Sequence, residues 1–226
     1  MIKTFIIRLE ENEHSCTMAQ ECYEQAVKFD LQPEFFKAIN GHNADYHYER
    51  TGIVKGGKFK KNRPGVSGCF FSHFYLWEKC IELDEPIIIL EHDGYFTRRL
   101  PKDILEQFTD VLKLDRLDPY SSKYETMLEN EKHNKVTVED YKNPNPKDLS
   151  KKGISNYFKG AYSYILKPAG ARKLVFSART YGHRPADQQI NNTILNLKTT
   201  VPTVARLHPF YAIGSNIETA SLTRNL

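Results

Sequence analysis

The chain has 226 residues, a net charge of +4 and a hydrophobic fraction of 40%, values typical of a globular protein that can bury a large core. No stretch approaches the roughly 18 consecutive apolar residues that a membrane-spanning helix requires. The mild positive charge, with a pI near 8.7, does not by itself indicate a nucleic-acid-binding protein.

The amino terminus and the cysteines bear on where the protein works. Residues Met1–Leu9 contain a short apolar run without a small-residue cleavage site, and this pattern predicts a first strand rather than a signal peptide. The cysteine spacings match no zinc or redox motif, so reduced thiols are expected at Cys16, Cys22, Cys69 and Cys80. We therefore expect a cytoplasmic protein.

The first third of the chain predicts a β-α-β unit followed by a loop. A strand is expected at Thr4–Leu9, a helix at Ser15–Phe29 and a second strand near residues 34–39. Residues 41–66 are rich in Gly, Asn and Lys and predict a long functional loop. Within it, the stretch 54–65 contains no acid and five bases: Lys55, Lys58, Lys60, Lys61 and Arg63. Such a run is either solvated or binds an anionic ligand, and a nucleic acid is one such ligand.

The remainder predicts further alternation of helices and strands. A helix with one apolar face should begin near Gly68, and a buried strand should follow at Ile87–Leu90. Charged residues, prolines and asparagines at about 112–152 predict an irregular insertion. A second βα unit follows around Pro168, and another helix is expected behind Pro185. The whole chain, residues 1–226, is expected to form a single α/β domain with a mainly parallel central sheet.

Acidic residues stand directly after the buried strand. Ile87–Leu90 is followed by Glu91, His92 and Asp93, and ligands bind at the carboxyl edge of open α/β sheets. Mg²⁺ or Mn²⁺ needs only one or two protein carboxylates when substrate phosphates supply the other oxygens. The motif favours a metal-diphosphate site, although an acidic turn at the end of a strand is the simpler alternative. His92 is either a metal ligand or a hydrogen-bonded structural histidine.

Four other residues are candidates, each with a structural alternative. His73 belongs to the apolar helix, where a core or helix-surface role is preferred over a site role. His208 follows the last predicted strand, from which a loop could return to the site. Asp187 begins a predicted helix. Its charge could interact favourably with the positive end of the helix dipole, or it could accept a proton from a hydroxyl group. Arg8 closes the first strand and could pair with an acid or face a nucleotide.

Several common catalytic motifs are absent from the sequence. It has no phosphate-binding G-x-x-x-x-G-K-[ST] loop, no G-x-S-x-G elbow, no H-E-x-x-H and no G-x-G-x-x-G after the first strand. P-loop, serine-hydrolase, zinc-peptidase and ordinary dinucleotide-binding functions therefore lose support.

Six segments resemble one family in their order along the chain. They are "FIIRLEENEHS", "FFKAINGHN", "RPGVSGCFFSHFYLWEKC", "PIIILEHDGYF", "GAYSYILKPAGARKL" and "HPFYAIGSNI". The order resembles glycosyltransferase family 25, which includes lipooligosaccharide and collagen galactosyltransferases. The most specific segments resemble the family's G-C-x-x-S-H-x-x-x-W-x-K helix and L-E-D-D strand end, and His92 replaces the middle acid of the latter. The resemblance implies a GT-A nucleotide-diphospho-sugar fold and inversion at the anomeric carbon.

The resemblance also implies roles for particular residues. Glu91 and Asp93 stand where the family has its metal and nucleotide-sugar motif, and Asp187 aligns loosely with an acid on the acceptor side. The donor-pocket helix and the C-terminal segment are matched by Gly68, Ser72, His73, His208 and Ser215.

The hypothesis is a metal-dependent, inverting transferase that moves galactose or glucose from a UDP-sugar to an acceptor hydroxyl, such as that of a glycan or lipooligosaccharide. Asp187 and Glu91 would be catalytic. Mn²⁺ or Mg²⁺ would be held by Asp93, Glu91 and His208, and the donor by Arg8, Gly68, Ser72, His73 and Ser215. The alternatives are transfer to a hydroxylated DNA base and an inactive nucleotide-sugar-binding protein. A metal-dependent phosphoesterase is a weaker third alternative.

Overall fold

Seven strands form a central sheet in the order β2-β1-β3-β7-β5-β8-β6, and β4 pairs with β9 in a small second sheet. The structure is a computed structural model and describes residues 2–55, 63–119, 121–132, 134–144 and 154–209. The strands are β1 Lys3–Arg8, β2 Gln32–Lys37, β3 Ile87–Glu91, β4 Gly94–Phe96, β5 Val111–Lys113, β6 Thr137–Asp140, β7 Ser163–Leu166, β8 Leu197–Val201 and β9 Ala205–Leu207. The α-helices are α1 Glu13–Lys28, α2 Ala44–Thr51, α3 Pro64–Leu83, α4 Tyr124–Glu131, α5 Pro168–Tyr181 and α6 Ala186–Gln189.

Most strands of the central sheet run in the same direction. β1 is parallel to both β2 and β3, and β5 is parallel to β8. β7 is antiparallel to β3 and to β5, and β6 is antiparallel to β8. Only β6 and β7 among the described strands of this sheet therefore oppose the others, and the predicted α/β fold with a mainly parallel sheet is confirmed.

Alternating residues of β3 explain its unbroken apolar sequence. Ile87 and Ile89 pack on one face of the sheet in the core that α3 and α5 cover, while Ile88 and Leu90 pack on the opposite face with α1. All four side chains are fully buried. A strand covered on both faces needs apolar residues at consecutive positions, which is why the run lacks polar alternation.

The predicted insertion at about 112–152 contains regular structure in its described part, contrary to the expectation. It supplies most of β5 as well as α4 and β6, while residues 145–152 lie outside the described part. The prediction missed β5 because Lys113 and Asp115 indicated an exposed segment. Both side chains are buried: Asp115 accepts hydrogen bonds from Tyr124, Tyr162 and Thr203.

The predicted loop at 41–66 also contains helical structure. A 3₁₀ turn at Gly41–Asn43 leads into α2, and α3 begins at Pro64, before the expected start near Gly68. α2 forms because Ala44 and Tyr48 are one turn apart and bury the same face. Residues 56–62, which include most of the basic run, lie outside the described part.

None of the described helices is both long enough and apolar enough to span a lipid bilayer.

Candidate active site

A cleft opens at the carboxyl edge of the parallel strands. It lies between the end of β1, the residues after β2 and the first half of α3, and the end of β3 closes it. Its lining residues are Ile7, Leu9, Ser15, Ala38, Ile39, Gly41, Gly65, Gly68, Cys69, Ser72, His73, Glu91 and His92. The carboxyl ends of parallel strands share one edge, so the topology places Glu91 beside the residues that follow β1 and β2.

Glycines allow α3 to approach the wall of the cleft closely. A Cβ at Gly68 would lie 2.5 Å from the carbonyl oxygen of Ile39, and a Cβ at Gly41 would lie 1.7 Å from that of Pro64. Both contacts are with backbone, which cannot rotate away as a side chain can. Gly68, predicted as a donor-site residue, therefore sets the width of the cleft.

Ser72 fixes the same wall through two hydrogen bonds. Its hydroxyl accepts from the backbone N–H of Ile39 and donates to the carbonyl of Gly68, each over 2.8 Å. The side chain is almost fully buried. Ser72 thus lines the predicted donor site, where its hydroxyl joins the end of β2 to α3.

His73 and Glu91 form a pair at the base of the cleft. His73 is completely buried, and its Nε2 lies 3.1 Å from Oε1 of Glu91 while its Nδ1 lies 2.9 Å from the Tyr164 hydroxyl. Burial acts to raise the pKa of Glu91, but the hydrogen bond from His73 and the nearby positive charges outweigh it and lower that pKa. Glu91 is therefore held as a carboxylate.

Asp93 and His92 carry buried polar atoms without a partner. Oδ1 of Asp93 and Nε2 of His92 accept or donate no hydrogen bond within the described part of the chain. Burial raises the pKa of Asp93 to about 6, the charge of His92 opposes this shift, and the charge of Glu91 adds to it. A buried carboxylate oxygen without a hydrogen bond is costly unless a ligand or cation completes it. Asp93 thus fits a divalent cation.

His208 reaches this loop through its backbone. Antiparallel pairing of β4 with β9 brings it beside Asp93, and its N–H donates to the Asp93 carbonyl over 2.8 Å. Its imidazole instead bonds Glu21 on α1, with 2.9 Å between Nε2 and Oε2. In the described chain, the triad with ligand atoms within 4.8 Å of one another is Cys69, His73 and Glu91. The predicted metal ligands Asp93, Glu91 and His208 are therefore not preassembled.

The charge of Glu91 acts on the pKa of Asp187. Burial raises the pKa of Asp187 to about 6, a backbone hydrogen bond from Gln188 opposes the shift, and Glu91 adds to it. The Gln188 N–H donates to Oδ1 of Asp187 over 2.8 Å. The two predicted catalytic acids, Asp187 and Glu91, therefore interact electrostatically.

Lys113 is a charged residue that interacts electrostatically with Glu91 and Asp187, and the sequence did not single it out. Its ammonium group is completely buried, donates to the Gly160 carbonyl over 3.1 Å and lies 4.1 Å from the centre of the Tyr162 ring. Burial lowers its pKa to about 8, although Asp115, Glu91 and Asp187 oppose that shift. The only sequence signal was a lysine between leucines at the end of a short apolar run.

The predicted donor-binding residue Arg8 does not join the described cleft. Arg8 stacks on Phe35, 4.0 Å from its ring centre, and faces Glu10 at 3.8 Å, because it points to the opposite side of β1 from Ile7. Ser215 lies outside the described residues. Of the basic run, Lys55 pairs with Asp45, and Lys58, Lys60 and Lys61 lie outside the described part.

The cleft, with its acids and bordering glycines, lies at the carboxyl edge of the parallel strands, where open α/β sheets bind their ligands. The sequence model of glycosyltransferase family 25 (LPS biosynthesis protein) matches residues 1–190. The chain belongs to this family, which confirms the predicted resemblance and makes it a glycosyltransferase.

Two solved structures are similar at low sequence identity. Mouse xyloside xylosyltransferase 1 in its apo form is 10% identical, with 83% of this chain and 79% of that chain covered and a TM-score of 0.36. The galactosyltransferase LgtC in complex with donor and acceptor sugar analogues is 10% identical, with 87% and 73% covered and a TM-score of 0.38. No curated protein sequence matches the chain.

Proposed function

We propose that the protein transfers a hexose, galactose or glucose, from a UDP-sugar to a hydroxyl group of a glycan with inversion at the anomeric carbon. The observation that carries this proposal is the buried carboxylate oxygen of Asp93, which has no hydrogen-bond partner among the described residues, beside the ionised Glu91 at the sheet edge. Membership in a glycosyltransferase family supports the reaction class.

The donor lies in the cleft of β1, β2 and α3. Apolar side chains from Leu9, Ala38 and Ile39 line it and offer a surface for the flat nucleotide base. Gly41 and Gly68 keep side chains out of the space where α3 meets this wall. The diphosphate then extends toward Glu91 and Asp93, where the strand ends.

Mn²⁺ or Mg²⁺ suits the acidic end of this path. Asp93 and Glu91 would hold the ion, and His208 supports Asp93 through its backbone N–H. When bound, the ion would offset the negative charge that develops on the departing diphosphate. Without the ion, the buried Oδ1 of Asp93 has no hydrogen-bond partner among the described residues, and such a state is unfavourable.

Asp187 is proposed as the base. The acceptor O–H bond breaks and its proton passes to the Asp187 carboxylate while the acceptor oxygen forms a bond to the anomeric carbon. The bond from that carbon to the diphosphate oxygen breaks on the opposite face, and UDP leaves with the electron pair. A carboxyl group with a pKa of about 6 is ionised at neutral pH and is a stronger base than an ordinary aspartate.

A glycan is proposed as the acceptor in preference to a nucleic acid. The nucleic-acid alternative depended on the basic run at 55–63. In the described part of that run, Lys55 pairs with Asp45 and Arg63 is exposed. The family model that matches the chain is described as that of an LPS biosynthesis protein, which favours a saccharide acceptor.

The test is release of UDP from UDP-galactose and UDP-glucose, with and without Mn²⁺ and with a panel of glycan acceptors. Asp93→Asn should abolish the metal-dependent release. Asp140→Asn is the matched control, because Asp140 is exposed on the edge strand and pairs with Lys198. Donor binding without metal-dependent UDP release in the presence of any acceptor would favour the inactive binding protein, and release of a sugar phosphate would favour a phosphoesterase.

The stereochemistry is tested separately by NMR of the product. An α-linked donor should give a β-linked product. Retention of configuration would contradict the role of Asp187 as the base but would leave the glycosyltransferase assignment intact.

A further inference from the structure

A line of hydrogen bonds connects the buried Trp77 on α3 to Glu91 in the cleft. Nε1 of Trp77 lies 2.9 Å from the Tyr164 hydroxyl, that hydroxyl lies 2.9 Å from Nδ1 of His73, and Nε2 of His73 lies 3.1 Å from Oε1 of Glu91. His73 and Trp77 are one turn apart on α3, and Tyr164 comes from the neighbouring strand β7. Trp77, Tyr164 and His73 are all completely buried.

The chemistry of the donors fixes the direction of each bond. An indole N–H can only donate, so Tyr164 accepts from Trp77. The single hydrogen of the Tyr164 hydroxyl has one remaining neighbour in the described structure, Nδ1 of His73. If Nδ1 carried a hydrogen instead, the hydroxyl hydrogen would be left in the core without an acceptor, which is unfavourable.

His73 must then carry its hydrogen on Nε2. That hydrogen points to Glu91, which accepts it on Oε1 and keeps its other oxygen for the cleft. The same assignment removes Nε2 from the possible metal ligands, because a ligating nitrogen must be unprotonated. The close group of Cys69, His73 and Glu91 is thus a hydrogen-bonded group and not a metal centre.

We propose that Tyr164, which accepts from Trp77, and the Glu91 carboxylate together fix the tautomer of His73, and that His73 is a positioning residue that orients Glu91 so that its second oxygen faces the cation and the nucleotide-sugar donor in the cleft. The part of this inference that concerns the donor rests on the proposed function, and the part that concerns the tautomer does not.

The tautomer is measured by ¹⁵N NMR of the histidine-labelled full chain at neutral pH. His73 should show a protonated Nε2 and an unprotonated Nδ1. Tyr164→Phe should shift the Nδ1 resonance, because that nitrogen loses its hydrogen bond, while Nε2 stays protonated because the Glu91 carboxylate still accepts its hydrogen. Tyr75→Phe is the matched control, since the Tyr75 hydroxyl lies 2.8 Å from Nδ1 of His47, a second Tyr–His pair away from Glu91. A protonated Nδ1 at His73 in the unsubstituted protein would overturn the proposal whether or not the enzyme turns over.

The positioning role is measured with two substitutions of His73. His73→Gln retains an N–H that can reach Glu91 and should preserve most of the donor affinity, whereas His73→Leu should raise the donor KM about 10- to 100-fold with a smaller change in kcat. Equal losses in both variants would show a purely structural role. Stoichiometric Zn²⁺ binding that Cys69→Ser removes would instead establish a metal centre and overturn the hydrogen-bonded assignment.

Discussion

The backbone N–H of His208 donates to the carbonyl oxygen of Asp93 over 2.8 Å, although the two residues are far apart in sequence. The imidazole of the same residue bonds Glu21 on α1. His208 therefore supports the acidic loop through an atom that every residue except proline possesses.

Replacement of His208 by alanine should leave this backbone bond intact. We expect His208→Ala to change Mn²⁺ affinity in the presence of UDP by less than about threefold, while Asp93→Asn lowers it at least about tenfold. Isothermal titration calorimetry measures both. A loss in His208→Ala as large as that in Asp93→Asn would return the imidazole to the set of metal ligands.

Asp93 should lower stability where it is ionised. Its folded-state pKa of about 6 lies above the reference value of 3.8, so the native state binds more protons and the free energy of unfolding falls as pH rises from about 4 to about 6. Oδ1 of Asp93 is buried, but the residue as a whole is partly exposed, which limits this loss to about 2 kcal/mol. Asp93→Asn should therefore be more stable than the unsubstituted chain at pH 7.5, and the difference should shrink near pH 4.

Urea unfolding across that pH range measures the effect of Asp93. Asp140→Asn serves as the control, because an exposed acid paired with Lys198 should show no such gain. A lower stability of Asp93→Asn at pH 7.5 would mean that the carboxylate has a partner in the folded protein.

Asp187 should determine the acidic limb of the pH profile. With metal saturating, kcat/KM should fall as pH drops through about 6, because the base becomes protonated. Asp187→Asn should lower kcat on the order of 10² to 10⁴-fold and remove this limb, with donor binding unchanged. An acidic limb that persists in Asp187→Asn would assign the proton transfer to another group.

Substitution of Lys113 should shift the acidic limb of the pH profile of kcat/KM. Its buried charge lowers the pKa of Asp187, so Lys113→Met should shift the limb to higher pH. Lys198→Met is the control, because Lys198 pairs with Asp140 at the sheet edge. The same pH profile in Lys113→Met as in the unsubstituted enzyme would show that the ammonium group has no influence on the base.

Gly68 should tolerate no side chain. In Gly68→Ala, the new methyl group would lie 2.5 Å from the Ile39 carbonyl oxygen, so α3 must move, at a cost of about 1–3 kcal/mol. Donor binding should weaken along with stability. Lys79→Ala on the exposed face of α3 is the control and should change stability by less than about 0.5 kcal/mol. Thermal unfolding and UDP titration distinguish the two, and a Gly68→Ala variant of unchanged stability would contradict the close packing.

The sequence predicted the features that depend on local pattern. The apolar run of β3, its acidic end and the apolar face of α3 needed only the periodicity of neighbouring residues. β5 was missed because a buried lysine and a buried aspartate are uncommon, and their partners are known only after folding. The bond between His208 and Glu21 joins residues 187 positions apart, and no local pattern indicates such a contact.

Helix α3 restricts how this enzyme could change its donor. Gly68 and Ser72 border the cleft, while His73 and Trp77, on the same helix, belong to the hydrogen-bonded line that reaches Glu91. A substitution on this helix that reshapes the pocket therefore also disturbs the orientation of the carboxylate. New donor preferences should arise more readily at Leu9 and Ala38, whose side chains border the cleft from segments that hold no part of that line.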